Sequence, residues 1–165
     1  MVNKKTIVLG LLLVVAAVVL VVRLWPSDER AIRKQLALIE EAGSKEASEQ
    51  PLESLLKAKQ LAALFHDPCE LIVEAVTYHG LYSRKEIMDR INLVRANYRT
   101  ARVSLHDVTI AIPGDNNAVV NCTIRLSGEG KGQPVADVQE LRAELRKIEG
   151  DWLLTHVTLI EVLER

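Results

Sequence analysis

From Val135 to Leu163 the chain reads as one long β-hairpin. Gln139-Glu-Leu-Arg-Ala-Glu-Leu-Arg146 alternates polar and apolar residues, the period of a strand with one dry face. Gly150-Asp151 reads as a two-residue loop, because glycine takes positive φ without a Cβ clash. The returning arm, Trp152 to Leu163, is apolar at both parities. A strand that is dry on both faces belongs in the middle of a sheet with both sides covered. The rest of the chain must therefore supply neighbours for this strand and a layer to pack on it.

The other end has a different character. Lys4-Lys5 precedes an unbroken apolar or small run from Ile7 to Val22, which Leu24-Trp25 extends past Arg23. As a helix, residues 6–25 would rise about 30 Å, the thickness of a bilayer's hydrocarbon core. Arg23 can snorkel to headgroups, and Trp25 suits the interface. Val-Val-Arg-Leu-Trp-Pro offers no small-residue cleavage site, so residues 1–26 are expected to be an uncleaved signal-anchor. The Lys4-Lys5 pair favours an N-terminus inside, while Arg23, Arg30, Arg33 and Lys34 pull the other way; the first is the leading expectation, with residues 27–165 outside the cytoplasm of a bacterial-type inner membrane. The expected partners are the lipid bilayer, through residues 6–25, and other proteins of a membrane complex. Of 21 basic residues, Lys4, Lys5 and Arg23 precede Pro26, and all 22 acidic residues follow it. The remaining 18 basic residues leave the part from Ser27 onward at a net −4, the wrong sign for nucleic-acid binding. That part is long enough for one cored domain and too short for two.

Along that part the elements alternate in type. Ser27 is placed to cap a helix whose first turn holds Asp28 and Glu29, and Gly43 ends it. Pro51 opens a second helix, which His66-Asp67-Pro68 is expected to break. Glu70 to Tyr78 is β-branched and apolar, a strand, with His79-Gly80 as a turn and Leu81-Tyr82 as a short return. Ser83 and Glu86 form a capping box before a third helix. From Ala101 to Ile112 the dry parity changes: Val103 and Leu105 share one face, while Val108, Ile110 and Ile112 have the opposite parity. One extra residue near His106-Asp107 restores a single face, so a β-bulge and a bent strand are expected there. Val120, Cys122, Ile124 and Leu126 alternate cleanly in the next strand.

Helix, helix, strand, short strand, helix and a run of long antiparallel strands form an order that resembles the nuclear-transport-factor-2-like superfamily. The closing Arg-Lys-Ile-Glu-Gly-Asp-Trp-Leu-Leu-Thr-His-Val segment also resembles the hairpin of these domains. The superfamily includes SnoaL-type cyclases, ketosteroid isomerases and scytalone dehydratase. The resemblance implies an α+β cone: helices packed on a strongly bent, mixed or antiparallel sheet, behind the single transmembrane helix.

Enzymes of this superfamily work inside the cone with an Asp or an Asp–His pair. His106-Asp107 is the nearest match, but adjacent strand residues face opposite sides, so a solvated bulge is the better reading. His156 has the parity of Trp152, Leu154 and Ile160 and is expected to line the cone; Tyr78 and Tyr82, beside His79, are expected at its rim. Tyr78, Tyr82, His106 and His156 are thus the ligand-binding candidates. The four histidines show no metal-ligand spacing, and no cofactor motif is present. Cys69 and Cys122 read as two buried thiols. The basic stretch Arg84, Lys85, Arg90, Arg95, Arg99 and Arg102 reads as a solvated helix face. The second apolar set on the last strand, with Val157, Leu159 and Leu163, is expected on the outer face of the sheet as a homodimer interface. The leading expectation for function is a membrane-anchored, non-catalytic interaction or scaffold domain. The second is a small hydrophobic-ligand binder, or a SnoaL-type isomerase, cyclase or dehydratase using the cone interior.

Overall fold

The computed structural model describes residues 27–74, 78–130 and 132–161, the side chains of Tyr78 and Glu161 excepted. Three helices lie on one six-stranded sheet. In chain order these are α1 (Asp28–Gly43), α2 (Pro51–Ala63), β1 (Phe65–Val73), β2 (Tyr78–Tyr82), α3 (Arg84–Ala96), β3 (Tyr98–Gly114), β4 (Asn117–Gly130), β5 (Gln133–Ile148) and β6 (Asp151–Glu161). The strand order is β2-β1-β6-β5-β4-β3. β1 runs parallel to β6, and every other neighbouring pair is antiparallel. The last strand is central, as its apolar composition requires. Among the described residues no helix is long and apolar enough to cross a membrane. The expected anchor, 1–26, lies outside them.

Local signals explain most element ends. Ser27 Oγ accepts from Arg30 N at the start of α1. Ser83 and Glu86 complete the capping box of α3 in both directions. The β5–β6 hairpin turns one residue earlier than its sequence suggests: Ile148 pairs with Asp151, and the loop is Glu149-Gly150, at φ 53° and 96°. Both loop residues need positive φ in such a turn, so Glu149 carries the strain that glycine avoids. β1 starts at Phe65, running through the His66-Asp67-Pro68 segment expected to end the preceding helix. His79-Gly80 lies inside β2 and is not a turn.

Two bulges set which side chains face the helices. In β3, His106 pairs with Thr123 and Thr109 with Asn121, so Asp107 and Val108 together oppose Cys122. Asp107 has φ 53°. The bulge therefore brings Val103, Leu105, Val108 and Ile110 onto one face, as the parity change requires. In β6, Glu144 pairs with His156 and Leu145 with Leu154, which leaves Thr155 as an extra residue. Trp152 and Leu154 then share the inner face with Val157 and Leu159, while His156, Thr158 and Ile160 turn outward. The core follows this register: Ile32, Leu36, Leu64, Cys69, Ile87, Val120, Cys122, Leu145, Trp152, Leu154 and Val157 are buried in one cluster.

Trp152, 2 % exposed, fixes the first helix on the sheet. Its indole N–H donates to Asp28 Oδ1 (3.1 Å), which also receives Lys147 Nζ (2.6 Å), and its carbonyl accepts from Gln35 Nε2 (2.5 Å). At the other end of α1, the edge of β3 is covered by polar groups. Ala101 N donates to Lys45 O, Val103 N to Ser44 Oγ and Leu105 N to Glu40 Oε1. These bonds remove donors that an open edge strand would present to another chain.

Candidate functional site

Burial along the inner face of the sheet runs in one direction. At the hairpin end the inner residues are buried: Ala118 and Val120 on β4, Leu145 and Ala143 on β5, Leu154 and Val157 on β6, Cys69 on β1. Further along the same four strands Ile124, Leu141, Leu159 and Leu71 are only half-buried. Register places Cys122, Leu141 and Leu159 on one level, with Ile124 opposite Gln139 a step further from the hairpin and Leu71 beside Val157 a step nearer to it. Ile39, Met88 and Ile91 of the helices pack against the core but are not closed over either. Burial on the inner face is thus complete at the hairpin end and partial at the other, more open end. Past Leu141 the inner face of β5 turns polar: Gln139 Nε2 donates to Asp137 Oδ2 at 3.0 Å. The open end therefore has aliphatic walls, one thioether and a polar rim on β5.

The aliphatic part of these walls holds no acid or histidine among the described inner-face strand residues; Asp137, at the rim of the same face, is a carboxyl that accepts from Gln139. Two thiols are present. Burial pushes the Cys69 thiol up to about 12, with the Glu70 charge adding to it, and pushes Cys122 up to about 11 with help from Glu40. Both are free and stay protonated at neutral pH, so neither is a nucleophile. β6 and β5 lie between their strands.

The sequence-derived candidates do not converge. Tyr82 is buried at the closed end opposite Cys69, with the Arg90 guanidinium 4.4 Å from its ring centroid; it is a core residue and not a rim residue. The Tyr78 side chain lies outside the described residues. His106 is exposed at the bulge, 3.1 Å from Ser104 Oγ, and has no carboxylate on it. His156 was expected inside the cone and lies on the outer face, because the extra residue at Thr155 reverses its parity. The same reversal corrects the interface expectation: Val157 is in the core and Leu159 faces the cone interior, while Leu163 lies outside the described residues.

Three groups were missed. Glu70 carries the first two of them: its Oε2 receives His156 Nδ1 at 2.8 Å and its Oε1 receives His79 Nε2 at 2.5 Å. Those two bonds hold its carboxyl below the usual range, against the opposing pull of partial burial. The third is Arg95, expected on a solvated face and found 5 % exposed. It binds Glu49 Oε1 (2.6 Å), Ser54 Oγ (3.1 Å) and the carbonyls of Ala42, Gly43 and Ser44 (2.5, 3.3 and 3.3 Å). No local pattern signals any of these groups, since their partners are distant in sequence. A surface hollow of about 830 Å³ lies between the end of α1 and β3. It is lined by groups already used to cover the β3 edge, including Glu40, Ser44 and Lys45. Among the described residues no cluster of His, Cys, Asp and Glu is arranged to hold a metal ion. His79 and His156 meet opposite oxygens of Glu70 and do not converge on a point.

No family model matches the chain, and no curated protein matches it. Solved structures do. A cystatin-fold protein of Novosphingobium aromaticivorans, nuclear-transport-factor-2-like by name, superposes with a TM-score of 0.66 at 16 % identity, covering 100 % of this chain and 94 % of its own. The fold is cystatin-like. A second protein of that organism, provisionally named a scytalone dehydratase, matches the cystatin-like cone with a TM-score of 0.66 at 14 % identity, over 82 % of this chain and 85 % of its own. A Streptomyces avermitilis protein, provisionally named a dehydratase of the nuclear-transport-factor-2-like family, gives 0.64 at 18 % identity over 83 % and 97 %. At these identities the likeness concerns the cystatin-like fold alone.

Proposed function

We propose that the cone binds a small, largely apolar molecule at its open end and performs no acid–base chemistry on it. The observation that carries this is the burial gradient on the inner face: the large aliphatic side chains of Leu71, Ile124, Leu141 and Leu159 are less buried than the inner residues at the hairpin end. Concave apolar surface with a few polar groups at its edge is the usual form of a small-molecule site. Gln139 and Asp137 supply that edge and suit a ligand with one hydrogen-bonding end. The names of similar folds, two of them dehydratases, agree with a cone that admits small organic molecules. The aliphatic walls hold no acid or histidine, and the Asp137 carboxyl lies at the rim engaged by Gln139, which favours binding over dehydration or isomerisation.

An environment-sensitive naphthalene dye, titrated into residues 27–165, tests this reading. Saturable binding is expected, competed by apolar compounds and abolished by Leu141→Trp or Leu159→Trp, which fill the opening. Dye binding unchanged in both variants would reject the site.

The tether belongs to the same proposal. Residues 6–25 hold the domain at a bilayer, and reporter fusions after Arg165 are expected to be active outside the cytoplasm. With Val157 and Leu159 turned inward, a homodimer through the outer sheet face loses the apolar row that motivated it.

A further inference from the structure

The outer face of the sheet holds a connected chain of groups that the cone does not use. Thr158 Oγ1 lies 3.1 Å from His156 Nε2, His156 Nδ1 lies 2.8 Å from Glu70 Oε2, and Glu70 Oε1 lies 2.5 Å from His79 Nε2. The ionised carboxylate of Glu70 can only accept, so His156 carries its proton on Nδ1. Its Nε2 then presents a lone pair to the threonine hydroxyl. Alcohol, imidazole and carboxylate are linked through the atoms that general-base activation of a hydroxyl requires. The bulge at Thr155 creates the arrangement by turning both His156 and Thr158 to the face on which Glu70 projects.

The backbone N–H groups here serve the sheet ladders, so charge developing on a substrate needs a side-chain donor. Arg142 pairs directly with Thr158 across β5 and β6 and shares its face. Directly opposed residues have Cβ atoms about 5 Å apart. The Arg142 side chain is half exposed, and its contact to Glu144, at 3.8 Å, is long. It can reach an oxyanion formed at the threonine.

We propose that this face is an acyl-transfer site for small esters, with Thr158 as nucleophile, His156 as general base, Arg142 as the oxyanion donor and Glu70 as the positioning residue for His156. Thr158 Oγ1 attacks the ester carbonyl carbon while its proton passes to His156 Nε2. The resulting imidazolium is held by Glu70, and the tetrahedral oxygen faces Arg142. Collapse breaks the bond to the leaving alkoxide, which takes the proton from His156 and departs as the alcohol. The acyl group remains on Thr158. Water, deprotonated by the same imidazole, then attacks the acyl carbon; the bond to Thr158 Oγ1 breaks, His156 returns the proton to that oxygen, and the acyl group leaves as the carboxylic acid. Thr158 is only 9 % exposed, so the acyl group must be small and reach the floor between taller neighbours. His79, on the far oxygen, holds the carboxylate in orientation.

The test is p-nitrophenyl acetate with the full chain in mild detergent. The expected result is a burst of p-nitrophenolate and one acetyl group on the peptide that contains Thr158. Thr158→Val is expected to remove the burst, Thr158→Ser to keep it, and His156→Gln to slow it about 100-fold. Arg142→Gln is expected to slow acylation with little change in KM. Two results would overturn the proposal: p-nitrophenolate release at the wild-type rate from Thr158→Val, or acetyl groups found only on lysines or on His79. Should Thr158→Val fail to fold, the position of the acetyl group on the wild-type chain decides the matter.

Discussion

Arg95 and Glu49 form the ion pair whose loss is expected to cost the domain most. Their side chains are 5 % and 1 % exposed, and they are joined at 2.6 Å. Arg95→Ala removes this partner together with the donors to Ser54 and to three carbonyls at the end of α1. Breaking a buried ion pair from one side costs about 3–5 kcal/mol, because the other charge is left desolvated. Here Lys57 still reaches Glu49 Oε2 at 2.9 Å, which moderates the charge penalty. The Ala42 carbonyl, on a 1 % exposed residue, loses its guanidinium donor, and an unpaired buried acceptor costs about 1–3 kcal/mol. The two adjustments have opposite sign, and the expected loss is about 4 kcal/mol. That is a large part of the about 5–15 kcal/mol that holds a typical domain. Arg95→Lys, with one ammonium in place of a fork, is expected to lose about half as much. Urea unfolding followed by circular dichroism measures both, and the cycle with Glu49→Gln isolates the pair. A loss below about 1 kcal/mol for Arg95→Ala would place the pair in the range of surface salt bridges and refute the argument.

Acidification is expected to unfold the domain through Glu49 and Glu70. Burial pushes the Glu49 carboxyl up, but its bonds to Lys57, Arg95 and Ser54 outweigh this and hold it below its ordinary 4.5; Glu70 is also held below 4.5. Both therefore stabilise fully above about pH 4.5 and lose that contribution as pH falls through the lower folded values, so Tm should drop there and drop less in Glu49→Gln. Gly128→Ala is expected to destabilise by about 1–3 kcal/mol, because a Cβ there would lie 2.1 Å from the Thr100 carbonyl oxygen and force β3 and β4 apart. An unchanged Tm would show that the strands yield freely. Cys69 and Cys122 are expected to resist a thiol-reactive disulfide reagent in the native domain and to react together on unfolding; rapid labelling of either at neutral pH would contradict their burial.

What the sequence determined by itself is local. Ser27, and Ser83 with Glu86, mark helix starts because the capping bonds span three residues and depend on nothing else. The change of dry parity between Leu105 and Val108 reveals the β3 bulge because residues of opposite parity can share a face only if one is inserted between them. The apolar, β-branched composition of β6 points to a central strand because such residues pack best with a neighbouring strand on each side. Tertiary structure decided what lies on each face of that strand. Both parities of β6 are apolar, so nothing in its own residues distinguishes continuous alternation from an insertion at Thr155. Pairing with β5 makes the choice, and with it sends His156 and Thr158 outward and Val157 and Leu159 inward. The same holds for Glu70 and Arg95. A charged residue on a strand or helix reads as solvated until distant partners enclose it, and those partners (His156 for Glu70, Glu49 for Arg95) are brought near only by the sheet register and by the packing of α3 against the loop before α2.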